Sequence, residues 1–120
     1  MEAQFTWERL AAGVARIRWT AGVVVTEDLA QRTIEELLAL TSGKRIPVLA
    51  DIRLVRSTTR EARTFYGNAT TTFSALALLA GSPATQVIAN FFIGLNRPNV
   101  PTQMFTDEEK ALAWLGRYVV

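Results

Sequence analysis

The 120-residue chain contains no cysteine and no histidine. Without thiols there is no disulfide and no thiolate metal site, and a cytoplasmic protein is the simple expectation. Without imidazole, a Ser-His-Asp triad, a histidine general base and a histidine-bound zinc are excluded. Lysine is scarce as well: two lysines stand against eleven arginines, and the net charge is only +2. A balance that mild does not imply nucleic-acid binding. The N-terminal MEAQFTWERL has early acids and no apolar core of signal-peptide length. Carboxylates, hydroxyls and arginines remain for chemistry, and no two of them stand at a readable catalytic spacing. No catalytic residue, metal ligand or cofactor is therefore assigned, and the expectation is a protein that is not an enzyme. A carboxylate or serine–lysine mechanism stays chemically open.

What is present is globular. Apolar residues make up 49% and charged residues 20%, too apolar for a disordered chain. The length suits one domain over residues 1–120. The segment Phe73 to Leu95 holds no charged residue and has the length of a membrane span. Gly81-Ser82-Pro83 interrupts it, and Thr85, Gln86 and Asn90 add polarity. A buried strand followed by a mostly buried helix accounts for the same run, so no membrane partner is expected.

Residues 5–10 and 14–19 alternate apolar and polar, with Ala11-Ala12-Gly13 between them, which predicts a β-hairpin. Its arginines Arg16 and Arg18 read as exposed and as a guard against edge pairing. Thr26 reads as a helix N-cap, followed by Glu27 and Asp28 and a helical apolar stripe to Thr41; Ser42-Gly43 ends it. Residues 46–51 read as a central strand covered on both faces, with Pro47 near its start. Thr58-Thr59-Arg60-Glu61 has capping-box spacing and predicts a helix over 58–67. Residues 74–80 form another strand, and Ser82-Pro83 starts a helix over 83–95 that Asn96-Arg97-Pro98 stops. A last strand at 101–105 and a helix over 107–117, capped at Thr106, complete the chain. The order is β-β-α-β-α-β-α-β-α: an α/β domain with a mostly parallel five-stranded sheet and an antiparallel N-terminal hairpin.

Three stretches carry a family likeness: PVLADIRLVRSTTREA, ALALLAGSPATQVIANFF and MFTDEEKALAWL. In this order the chain resembles the SpoIIAA-like fold of anti-sigma-factor antagonists, the STAS domains, and their uncharacterised relatives. The resemblance implies a cytoplasmic regulatory domain that works through a protein partner. STAS chains carry Asp-Ser-Ser-Gly at the second helix, where this chain has Arg56-Ser57-Thr58-Thr59. The acid and the glycine of that pattern are missing. The long helix around Phe91-Phe92 and its Asn96-Arg97-Pro98 exit look more like the uncharacterised relatives.

In an open α/β sheet, sites form beyond the carboxyl ends of the parallel strands. Asp51, Arg56, Ser57, Thr58, Thr59 and Arg60 gather there as a candidate anion or phosphorylation site, beside free backbone N–H groups of a helix start. The same hydroxyls also serve as plain helix punctuation, and Arg60 and Arg63 as a solvated helix face. Phe91 and Phe92 are adjacent, so one of them turns away from the sheet. That points to a partner surface, and a homodimer is expected. The second functional reading is a small-molecule module with an apolar pocket among the helices and Arg56 or Arg97 as anion anchor.

Overall fold

Gly13 adopts a φ of +84°, a conformation open to glycine at little cost, and there the chain first reverses. The computed structural model describes residues 4–69, 72–96 and 99–119. Strands β1 (Phe5–Arg9) and β2 (Ala15–Trp19) pair antiparallel across that turn, with Phe5 opposite Trp19. Phe5 is buried and Trp7 half-buried on one side, while Thr6 and Glu8 are exposed on the other. This is the period-two alternation of a strand with one covered face.

A short strand β3 (Val24–Val25) leads into α1 (Glu27–Thr41). Thr26 Oγ1 accepts from Leu29 N at 3.3 Å, the expected cap. Leu29, Ala30, Thr33, Ile34, Leu37 and Thr41 face inward at helical spacing. The helix ends on left-handed Ser42 and Gly43, with φ of 54° and 80°. Strand β4 (Pro47–Asp51) follows and is buried at every position, as expected for a central strand. Then come β5 (Ser57–Thr58), α2 (Arg60–Asn68), β6 (Ala75–Leu79), α3 (Pro83–Asn96), β7 (Thr102–Phe105) and α4 (Glu108–Leu115), closed by a 3-10 turn at Gly116–Tyr118.

The main sheet has the order β1-β2-β4-β6-β7, and every pair after the hairpin is parallel. The uncharged run thus divides into β6 and α3. No helix among the described residues is long and apolar enough to cross a membrane. Ile17, Trp19, Val48, Ala50, Leu76 and Leu78 point to one face and pack with α1, α2 and α3. Leu49, Ala75, Ala77 and Leu79 point to the other and pack with Ala111 and Leu115 of α4.

Four details depart from the sequence reading. Strands β3 and β5 were not expected. They form a two-residue parallel ladder, Val24 beside Ser57 and Val25 beside Thr58. That pairing commits the backbone at Thr58, so α2 starts later, and Thr59 is its cap: Oγ1 accepts from Ala62 N at 3.1 Å. Glu61 is then no longer three residues beyond the cap, and the capping box does not form. At α4 the cap is Asp107, accepting from Lys110 N at 3.2 Å, not Thr106. Arg16 is not an exposed edge guard. Its strand lies inside the sheet, and its side chain, 13% exposed, sits between Glu8 and Glu108 at 2.6 and 3.1 Å.

Candidate functional site

Each parallel strand runs into a helix, so all four helices begin beyond the carboxyl end of the sheet. The rim there is built from two segments, 22–25 and 54–59. Backbone bonds close them together: Gly22 N to Leu54 O at 2.8 Å, Arg56 N to Val23 O at 2.9 Å and Thr59 N to Val25 O at 3.0 Å. This zipper holds the hydroxyl run extended until Thr59 turns into α2. Behind it, Arg63 Nη1 donates back to Thr58 O at 2.8 Å and to Thr58 Oγ1 at 3.1 Å. Arg63 is half-buried and engaged, not a solvated helix face.

Asp51 ends β4 and is the one buried charged residue among the described residues. Its Oδ1 accepts from Arg53 N at 3.1 Å and Arg53 Nε at 2.9 Å; its Oδ2 accepts from Arg53 Nη2 at 2.8 Å. Arg18, its neighbour in register on β2, approaches to 3.7 Å. Burial alone would push the Asp51 carboxyl up, but the Arg53 hydrogen bonds and the two guanidinium charges outweigh it. They hold the group below the usual carboxylate range. A carboxylate so engaged and held ionised is a poor acceptor for a substrate proton. By contrast, the side chains of Arg56 and Arg60 are exposed and make no hydrogen bond or ion pair among the described residues. Leu54, 59% exposed, and Val24 lie on the same zipped segments.

Inside the molecule, a cavity of about 80 Å³ separates the sheet from α1, α2 and α3. Its lining is almost wholly apolar and includes Thr58 and Arg63 but not Arg56. The cavity and the exposed arginines are therefore not parts of one anion pocket. Arg97, the other expected anchor, lies outside the described residues. Among its lining residues, Tyr66 OH and Thr33 Oγ1 stand 2.6 Å apart. Thr33 donates to Ala30 O at 2.7 Å, so Tyr66 donates to Thr33. Burial drives the Tyr66 phenol up to about 12, against a smaller downward pull from the Thr33 bond.

The model of a domain of unknown function, DUF7793, matches residues 8–119. The chain belongs to this family. No curated protein matches it. Among solved structures, this DUF7793 chain is similar to an uncharacterised SpoIIAA-like protein of the DUF3478 family from Shewanella loihica PV-4. The TM-score is 0.62 and the identity 16%, over 92% of this chain and 91% of that one. It is equally similar to the anti-sigma-factor antagonist SpoIIAA in its unphosphorylated form, at TM-score 0.62 and 14% identity over 92% and 96% of the two chains. A protein of unknown function from Arthrobacter sp. FB24 aligns at 32% identity over 92% and 97%, with a TM-score of 0.37. The fold is SpoIIAA-like, as the resemblance implied.

Of the residues singled out from sequence, Arg56, Ser57, Thr58, Thr59 and Arg60 do share one rim. Asp51 is tied away from them by Arg53. Phe91 and Phe92 divide as expected: Phe92 is 7% exposed in the core and Phe91 is 52% exposed. Sequence reasoning missed Leu54 as a surface residue and Trp19 as a wall of the cavity. An apolar residue in the loop after a strand, with Arg on either side (Arg53, Arg56), was the available signal for Leu54.

Proposed function

We propose that the chain is a non-enzymatic, cytoplasmic regulatory domain that works by protein–protein contact at the carboxyl end of its parallel strands. The observation that carries this is the rim itself: exposed Leu54 and Val24 lie on the same zipped segments as the exposed cation Arg56, with exposed Arg60 at the start of α2. Exposed apolar side chains with cations near them fit a protein surface that offers apolar and acidic groups. The SpoIIAA-like fold supports a regulatory role, because SpoIIAA acts as an anti-sigma-factor antagonist. Of the hydroxyls beside the rim, Thr59 caps α2 and Thr58 accepts from Arg63. They stay unmodified in this reading, and phosphosite mapping on protein from the native host checks that.

The test is a paired capture. Immobilised wild-type chain and a Leu54→Asp, Arg56→Glu variant are exposed to native lysate at low and high salt. The reading expects an acidic protein retained by the wild type, lost with the variant, and weakened by salt. Identical retention by both chains overturns it.

A second surface carries a second contact. Val87 and Phe91 are exposed one turn apart on α3, a helix whose sequence holds no charge. An uncharged apolar face does not repel its own copy, so a two-fold homodimer is the assembly it fits. Light scattering at micromolar concentration is expected to give twice the chain mass, falling to one with Phe91→Asp.

A further inference from the structure

The outer face of α3 carries a regular stripe. Ala84, Val87, Phe91 and Gly94 are all exposed, and steps of three, four and three place them within an arc of about 80° on one side of the helix. The helix holds no charged residue. Gly94 stands out among the four. It lies inside the helix, where glycine weakens the element, yet a Cβ there would meet no described atom within 4 Å. Packing within the chain does not call for a glycine at this position; a second body brought close to the helix does.

The stripe reads the same from either end. Ala84 with Gly94, and Val87 with Phe91, are both centred on Ala89. A second copy of α3, laid antiparallel across a two-fold axis at the level of Ala89, meets all four residues in register. Val87 then faces Phe91 of the second copy, and Ala84 faces Gly94. A large side chain meets a smaller one at the centre, which fills space evenly. A parallel pair would set Phe91 on Phe91 and Gly94 on Gly94, bulk on bulk and gap on gap. The helix ends favour the same choice. α3 has no acid in its first turn and no base in its last, so no side chain offsets its dipole. Only the antiparallel pair puts each end beside the opposite one.

We propose that α3 pairs antiparallel with α3 of a second copy, about the level of Ala89, and that the dimer is two-ended. This rests on the homodimer reading above and adds its geometry. α3 starts at the carboxyl end of the sheet, the same end as the rim of residues 22–25 and 54–59. Reversing α3 reverses the whole protomer, so the rims of the two copies face opposite ends of the dimer. Such a dimer bridges two copies of an acidic partner rather than gripping one of them twice.

The chain has no cysteine, so single replacements report the pairing. Ala84→Cys and Gly94→Cys chains are oxidised separately and as an equal mixture, with light scattering on the wild type beside them. Both positions are exposed, so neither replacement disturbs the fold. A disulfide-linked dimer is expected severalfold more abundant in the mixture than in either single sample, because positions 84 and 94 meet only between opposed chains. Linkage in the single samples equal to that in the mixture overturns the antiparallel arrangement and the two-ended dimer, while the homodimer stands. A wild-type dimer with no linkage in the mixture does the same. A wild-type monomer overturns the homodimer reading itself, and this arrangement with it, and assigns the face to a different partner.

Discussion

The two faces of the sheet are closed by different means. One carries three helices and large side chains such as Trp19, Leu37 and Phe92. The other carries one helix of eight residues over alanines at 75, 77 and 111, with Leu49, Leu79 and Leu115 between them. The well-covered face is the one with the void. Three helices meeting bulky residues from different directions leave space where their surfaces diverge, whereas alanines let a single helix settle close. Charged side chains complete this face beside α4. Glu8, Arg16 and Glu108 form a row across β1, β2 and α4, and Arg18, Asp51 and Arg53 a second one. Generous coverage and tight packing are thus separate properties, and each can be tested apart.

Truncation should separate them most. α4 holds its face with only Ala111 and Leu115 buried. Leu115→Ala removes most of that anchorage, and a loss of about 3–5 kcal/mol is expected, at the upper end for buried leucines. Ile34→Ala on the helix-rich face is expected to cost about 2–3 kcal/mol, because its surroundings already lack some contacts. Urea midpoints at constant slope measure both, and equal losses would break the comparison.

The opposite change gives a second contrast, this time in sign. Ala50 and Ala77 lie on neighbouring strands but point to opposite faces. Ala77→Val meets close packing and should destabilise by about 1–3 kcal/mol. Ala50→Val extends into the cavity and suits a strand, so a change between zero and about 1 kcal/mol of stabilisation is expected. Thermal unfolding of the two variants decides it.

How much of this was legible follows from which signals are local. The α1 cap at Thr26, the Ser82-Pro83 start of α3 and the fully apolar β4 are written in adjacent residues, and the five strands and four helices stand where the pattern put them. The shifted caps were not legible for two reasons. Thr58 is claimed by β3, thirty-odd residues earlier in the chain, a pairing too short to leave a pattern. At α4 two capping residues are adjacent, and Asp outranks Thr only slightly. Arg16 misled because alternation shows that a residue leaves one face, not whether a strand lies inside the sheet or at its edge. The rim was foreseen as a cluster because topology brings helix starts together. An apolar pocket among the helices was foreseen only as part of the second functional reading, and its walls were not, since a void depends on how three helices divide the space.

The Tyr66–Thr33 hydrogen bond on the helix-rich face has an alkaline pH signature, whereas the lowered Asp51 carboxyl on the charged face acts on the acid side. Tyr66 is pushed up to about 12 in the fold, against about 10 for an unperturbed phenol. Between these values the unfolded chain loses a proton that the folded chain retains, so the folded state binds more protons and stability falls as pH rises. The contribution is complete below pH 10 and is lost through pH 12, by about 3 kcal/mol. Tyr66→Phe should cost about 1 kcal/mol at neutral pH and show a shallower alkaline decline than the wild type. Parallel declines would remove Tyr66 from the account.

The smallest effects concern the helix starts, where the two faces should again differ. Thr59→Ala and Asp107→Ala each remove a side-chain acceptor from the first turn, of α2 and α4 respectively. Such a change costs about 1 kcal/mol. Since α2 buries only Ala62, its loss should stay local: amide exchange quickens over residues 62–66, and the global midpoint moves little. α4 is the one helix packed on its face among the described residues, so Asp107→Ala should appear in global unfolding at nearly full size. Thr58→Ala should be milder than either. Arg63 keeps its bond to the Thr58 carbonyl when the hydroxyl is gone, so about 0.5 kcal/mol is expected. A Thr58→Ala loss larger than that of Thr59→Ala would return the cap to Thr58 and undo the role given to the β3–β5 ladder.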